Sequence, residues 1–180
     1  MSDLTKHTYP TPVGEMIAVF TLKGLRMLEF EGQARVDREM AQVESAAGGP
    51  ATLGQNALTE QMGRELTEYF ASRRRVFDIP LDLLGTPFQQ RVWKALLEIP
   101  YGQTWSYGQE AHHIGSPTAS RAVAAANGQN KVSIVVPCHR VIGSNGSLTG
   151  YGGGLPRKQF LLALERGNVQ PQGQLWKALG

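Results

Sequence analysis

Ile134-Val135-Val136-Pro137-Cys138-His139-Arg140-Val141 is the stretch on which the reading of this chain depends. Cys138 is the one cysteine in 180 residues. As a thiolate it is the softest nucleophile a protein owns and attacks carbon readily. The β-branched run Ile134 to Val136 predicts a short strand, which Pro137 must end or turn. His139, the side chain best suited to moving protons near neutral pH, follows directly. Read without its neighbours, a lone cysteine is an inert, buried small hydrophobe. The proline before it and the imidazole after it point to chemistry instead. A single cysteine also excludes an internal disulfide and a thiolate-rich zinc site.

The rest of the composition narrows the class. Apolar residues make up 41% of the chain, with three tryptophans, as in a folded globule with one good core or two small ones. No apolar run approaches membrane-spanning length, and Met1-Ser2-Asp3-Leu4-Thr5-Lys6 holds no signal-peptide stretch. A cytoplasmic protein with no membrane partner is expected. The net charge of +3 hides an asymmetry. Residues 1–85 hold 9 Lys/Arg against 12 Asp/Glu, and residues 86–168 hold 8 against 3. A basic second half beside an acidic first half suggests that only the second meets a polyanion.

Local signals divide the chain in the same place. Alternating residues 15–31 on either side of Lys23-Gly24 predict a hairpin. A polar helix follows over Arg35 to Ser45, ended by Gly48-Gly49-Pro50. Asn56 caps a second helix with the apolar face Leu58, Met62, Leu66, Tyr69 and Phe70. Arg73-Arg74-Arg75 suit the dipole at its end. An extended segment, Val76 to Leu84, leads to a boundary near Gly85. Beyond it Thr86, Pro87 and Gln89 form a capping box with proline at the first helical position. The helix they open carries a stripe of Phe88, Val92, Trp93, Leu96 and Leu97. Ser106 with Gln109 caps another helix that ends near Gly115. Ser116-Pro117 opens the next, with Ala119, Ala122, Val123 and Ala126 inward. The last two make a helix-turn-helix pattern.

Pro137-Cys138-His139-Arg140-Val141 resembles the acceptor-cysteine motif of the O6-alkylguanine-DNA alkyltransferases, also called methylated-DNA–protein-cysteine methyltransferases. Further motifs match in order: Thr86 to Trp93, Ile99 to Gly102, Ser106-Tyr107, Ser120 to Val123, Asn127-Gly128 and Thr149 to Gly154. The resemblance implies two domains in an α/β (α+β) chain. Residues 1–85 form a ribonuclease-H-like sheet-and-helix domain. Residues 86–168 form a mainly helical domain for DNA binding and alkyl transfer, followed by a tail over 169–180.

It also implies roles. Cys138 is the nucleophile and alkyl acceptor, and His139 takes its proton through a water. Glu165 orients His139, completing a relay with the logic of a catalytic triad. Asn130 links the helix-turn-helix to the active-site loop. Tyr107 crowds the target phosphate and donates a proton toward the guanine. Arg121 enters the duplex through the minor groove to replace the extruded base, with Ser120, Ala122, Ala125 and Gly128 on the DNA side. The small side chains of this helix suit a close approach to the groove, and it has few base-reading residues. Sequence-independent binding suits a protein that scans all DNA. Val136, Val141, Tyr151, Gly152 and Gly153 line the base pocket, with Tyr151 stacked on the flipped base. Gly153 leaves the wall open, so benzyl adducts are accepted. No metal or cofactor is implied. His112-His113, lacking a cysteine or histidine cluster, reads as surface.

The substrate expected is double-stranded DNA with alkylated bases, O6-alkylguanine and also O4-alkylthymine. The protein acts once per molecule, as a monomer with cooperative binding along DNA left open. Three other readings differ in class. A non-catalytic damage sensor lacks the acceptor cysteine. A papain-like hydrolase places its histidine far from its cysteine. A transcription regulator uses its cysteine for structure only.

Overall fold

The computed structural model describes residues 2–168. They fall into two compact units that divide between Leu84 and Gly85.

The first unit is a four-stranded sheet with two helices. Strands β1 (Thr5–Tyr9), β2 (Met16–Phe20) and β3 (Leu25–Phe30) are antiparallel neighbours. β4 (Thr52–Leu53) adds parallel to β1, giving the order β3-β2-β1-β4. The hairpin expected over 15–31 is the β2–β3 pair, closed by the Thr21 N–H donating to Gly24 O at 2.9 Å. Every residue of β2 is buried. Ile17 and Val19 pack with Met27 against Val36 and Val43 of α1 (Ala34–Ala47), while α2 (Ala57–Phe70) also packs on β2. Asn56 caps α2 as expected, in a reciprocal box with Thr59.

The arginine run behaves differently from the helix-dipole reading. No basic residue lies in the last turn of α2. Arg74 instead turns back to Glu68 and forward to Asp78, at 2.9 and 3.1 Å. β1 carries no apolar alternation and was not signalled, because three of its five residues are only half-buried polar ones.

The second unit is mainly helical, with α3 (Pro87–Leu96), α4 (Tyr107–His113), α5 (Ser120–Gly128) and α6 (Leu155–Glu165). Two short parallel strands, β5 (Trp105–Ser106) and β6 (Val141–Ile142), pair between them. Both expected capping boxes are present, Thr86 with Gln89 and Ser106 with Gln109. Gly85 has no room for a side chain, since a Cβ there would lie 2.4 Å from the Trp93 ring. Trp93 is itself buried and its Nε1–H donates to Ala126 O at 2.8 Å, tying α3 to α5. Of the expected α3 stripe, Phe88 is half-buried and Leu97 exposed, with Ala95 buried instead. α5 starts at Ser120, not at Ser116-Pro117, which forms a turn. Its inner face is Val123 and Ala126, and Ala122 faces outward.

The strand expected over Ile134 to Val136 is absent. Those residues run through turns, in which Val135 N–H donates to Ser133 O and Val136 N–H to Val132 O. The Asn130 amide supplies what a neighbouring strand would have supplied. Its Nδ2 donates to Val136 O at 2.9 Å and to Val132 O at 3.4 Å, while its Oδ1 accepts from Val132 N–H at 2.9 Å. Ile134 sits in the left-handed region, φ 71°, which a β-branched residue enters only under tertiary constraint. Such a conformation costs about 1–3 kcal/mol. The strain shapes the loop that leads into Cys138.

Candidate active site

Cys138 begins a 3-10 turn, Cys138–Arg140, and is half-buried, whereas His139 and Arg140 behind it are buried. Asn130 Nδ2 donates to Cys138 Sγ at 3.2 Å, so one amide shapes the loop and touches the thiol.

His139 is 0% exposed and its Nε2 lies 2.6 Å from Glu165 Oε2 at the end of α6. Burial pushes the imidazole below its ordinary value, and the Glu165 carboxylate only partly restores it. The ring is therefore neutral at neutral pH, with Nε2–H donating to Glu165. Its Nδ1 is left as a buried lone pair with no partner among the described residues. Such a tautomer can accept a proton. Burial alone would raise the Glu165 carboxyl. The His139 and Arg140 contacts outweigh it and hold the group well below the carboxylate range.

Three groups that sequence reasoning had not assigned act on Cys138, His139 and Glu165. Arg140 grips Glu165 with Nε at 2.8 Å and Nη2 at 3.2 Å, and its Nη1 donates to Ile99 O. Gly102 N–H donates to Glu165 Oε1 at 3.3 Å. Gly102 has φ 79°, and a Cβ there would lie 3.2 Å from Glu165 O, so glycine fits both the backbone and the close approach. The third is Lys158, fully buried on α6, whose Nζ donates to Val141 O at 2.6 Å and Thr149 O at 2.7 Å. Burial pushes its ammonium down to about 8, while the neighbouring Cys138 charge pulls it up. A usable signal existed for Lys158, a cation seven residues before Glu165 on one face of an apolar helix.

A cavity of about 430 Å³ opens on Cys138. Its walls are Tyr107, Ala124, Asn127, Gly128, Thr149 and the Gly150-Tyr151-Gly152 turn. The Tyr107 hydroxyl donates to Thr149 O at 3.2 Å, so that carbonyl receives both Tyr107 and Lys158. Tyr151 meets the His139 ring edge-on, with centroids 6.5 Å apart. Of the expected pocket residues, Tyr151 and Gly152 line this cavity. Val136, Val141 and Gly153 are buried and do not. Val141 serves the site through its carbonyl instead.

The expected DNA-side residues share one helix. Arg121, Ala122, Ala125 and Gly128 are exposed along α5, and Ser120 is half-buried at its start. A Cβ at Gly128 would meet nothing within 4 Å. Asn127, from the Asn127-Gly128 motif, lies in the last turn of α5 and sends its side chain inward to Glu110. His113 contacts Glu98 and the Trp105 ring, and among the described residues no group of three His, Cys, Asp or Glu could hold a metal. Among them also, no helix is long and apolar enough to cross a membrane.

Both units, the sheet-and-helix one and the mainly helical one with Cys138 beside the buried His139–Glu165 pair, match known proteins. Residues 4–83 match the ribonuclease-like domain, and residues 87–167 the DNA binding domain, of 6-O-methylguanine DNA methyltransferase. A methylated-DNA–protein-cysteine methyltransferase of Mycobacterium tuberculosis is 63% identical over 102 residues, 57% of this chain and 62% of that protein. The match thus spans less than two thirds of that relative's length. One from Methanosarcina acetivorans is 42% identical over 158 residues, 87% of this chain and 95% of its own. A crystal structure of Mycobacterium tuberculosis OGT in complex with DNA aligns with TM-score 0.82 at 42% identity, covering 96% of this chain and 99% of that one. The chain belongs to the 6-O-methylguanine DNA methyltransferase family.

Proposed function

We propose that this protein repairs alkylated DNA by moving the alkyl group from O6-alkylguanine, and from O4-alkylthymine, onto Cys138. The observation that carries this reading is the placement of Cys138 on the wall of a base-sized cavity. Asn130 lies 3.2 Å from its sulfur, and a neutral histidine with a bare Nδ1 stands behind it.

His139 takes the thiol proton through a water, and Glu165 stabilises the imidazolium that forms. The sulfur bonds to the alkyl carbon as the bond from that carbon to O6 breaks, and the electron pair leaves on the guanine. Tyr107 supplies the leaving base with a proton and regains one from water, to which the His139 imidazolium releases the thiol proton, so the net change carries the thiol hydrogen to guanine. The buried cations Lys158 and Arg140 outnumber the single carboxylate of Glu165, which favours a negative sulfur. The product thioether has no good leaving group, so each molecule reacts once and needs no cofactor. Arg121 and the small residues of α5 contact the minor groove while Tyr151 stacks on the extruded base.

Intact mass after incubation with a duplex carrying one O6-methylguanine tests the reading. Wild type should gain one methyl group at Cys138, and Cys138→Ala none. Tight lesion binding with no added mass would instead favour a damage sensor. A duplex carrying O4-methylthymine tests the second substrate in the same way.

A further inference from the structure

A second buried polar pair lies outside the cysteine relay and joins the two helices of the helix-turn-helix. Glu110 of α4 is 0% exposed, and Asn127 of α5 is 7% exposed. Asn127 Nδ2 donates to Glu110 Oε2 at 2.8 Å. The other two oxygens, Glu110 Oε1 and Asn127 Oδ1, are also buried, and neither has a hydrogen-bond partner among the described residues. Two bare acceptors on one bonded pair are hard to reconcile with an ionised carboxylate, which needs donors or a cation when dry.

No cation faces it. α4 packs against α3, α5, β5 and β6. On α3, Arg91 and Lys94 are exposed, and Arg91 is bound to Ile114 O; on α5, Arg121 is exposed. β5 and β6 carry no ionisable side chain. On α4 itself His112 and His113 are exposed. Burial raises the Glu110 carboxyl to about 7, with the Asn127 bond the only opposing influence.

We propose that Glu110 is a positioning residue held as the carboxylic acid, its Oε1–H donating to Asn127 Oδ1 while Oε2 accepts from Nδ2. One proton then satisfies both bare oxygens. The two helices are joined by a cyclic acid–amide pair. Its place gives it a function. Glu110 lies one turn after Tyr107 on α4, and Asn127 lines the cavity beside Gly128 and Cys138. The pair sets the spacing between the two helical walls that meet the base. Ionisation removes the donor and turns one oxygen against another.

The kinetic consequence rests on the alkyl-transfer reading, whereas the pair itself does not, so the test has two arms. In the first, infrared spectra at pH 6 should show a protonated carboxyl band that shifts on ¹³C-glutamate labelling. Glu110→Gln should abolish the band, and Asn127→Leu should move it toward that of a free acid. Glu110→Gln is the neutral isostere, able to make both bonds at any pH. Between pH 5.5 and 8.5 the folding equilibrium constant of wild type should fall about 30-fold relative to that of Glu110→Gln. Comparing the two proteins cancels the titration of His139. In the second arm, the single-turnover rate on O6-methylguanine duplex should decline over the same range in wild type and stay level in Glu110→Gln. Absence of the acid band, or equal stability slopes in the two proteins, would overturn the proposal. An intact band with no alkyl transfer by wild type would leave the pair standing and remove only the reading of Cys138.

Discussion

Replacing Glu165 by Gln tests the relay where its energetics are largest. The carboxylate is buried and receives Arg140 through two nitrogens, His139 through Nε2 and Gly102 through its N–H. Neutralising it leaves the Arg140 guanidinium buried without a counter-charge, which costs about 3–5 kcal/mol. Trp93 and Trp105 both lie in the second unit, so the change in their fluorescence in urea reports on it. With a urea slope of about 1–3 kcal/mol per molar, the midpoint should fall by about 2 M. The alkyl-transfer rate of the folded variant should fall about 10²-fold, because His139 loses the charge that stabilises its protonated form.

The pH dependence has a definite sign. A carboxyl held below its unfolded value contributes stability that is present above about pH 4.5 and is lost as the pH falls below it. The gap between wild type and Glu165→Gln should therefore narrow in acid. Removing the stranded cation as well, in Glu165→Gln with Arg140→Met, should recover stability relative to Glu165→Gln alone. A midpoint shift under about 0.5 M with an undiminished rate would refute the account of the buried charges.

Four other outcomes are expected. Asn130→Ala should destabilise the second unit by about 2–3 kcal/mol, because Val132 N–H loses its side-chain acceptor, Val136 O keeps only the Cys138 N–H of its two donors, and Ile134 loses its constraint; the slowed alkylation of Cys138 would appear in the same single-turnover assay. Lys158→Met should flatten a rise in stability that wild type shows from about pH 8 toward the ordinary lysine value of 10.5, since a base held low gains stability as the unfolded chain gives up its extra proton. That rise is worth about 3 kcal/mol, read from urea curves at each pH. Arg121→Ala should leave folding stability within about 0.5 kcal/mol while slowing reaction with duplex DNA and sparing reaction with the free base O6-benzylguanine. Free O6-benzylguanine should itself block Cys138 by adding a benzyl group, which mass spectrometry detects; methyl transfer surviving excess benzylguanine would show the cavity too narrow.

Much of this arrangement was legible in the residues because the signals were local. Thr86-Pro87 with Gln89, and Ser106 with Gln109, specify helix starts through bonds made within three residues. Cys138 and His139 are neighbours in the chain, so the pair proposed to react was visible at once. The failure at Ile134 to Val136 is equally instructive. β-Branched residues favour strands only where a partner strand is available. Here the Asn130 side chain meets the backbone groups first and bends the segment into turns. Arg140 carried no local mark of function, since nothing nearby in sequence says that its cation will be buried, whereas Lys158 was marked only by its place on the apolar face of α6.

The sequence by itself determined the proposed nucleophile, the helices that frame it and the charge contrast between the two halves, all of which depend on residue type and short spacing. Tertiary structure alone decided which oxygens and nitrogens meet: His139 with Glu165 across 26 residues, and Gly102 with Glu165 across 63. It also decided the protonation of those groups, because burial and long-range partners set the energy of a charge, and neither is written in a residue's neighbours.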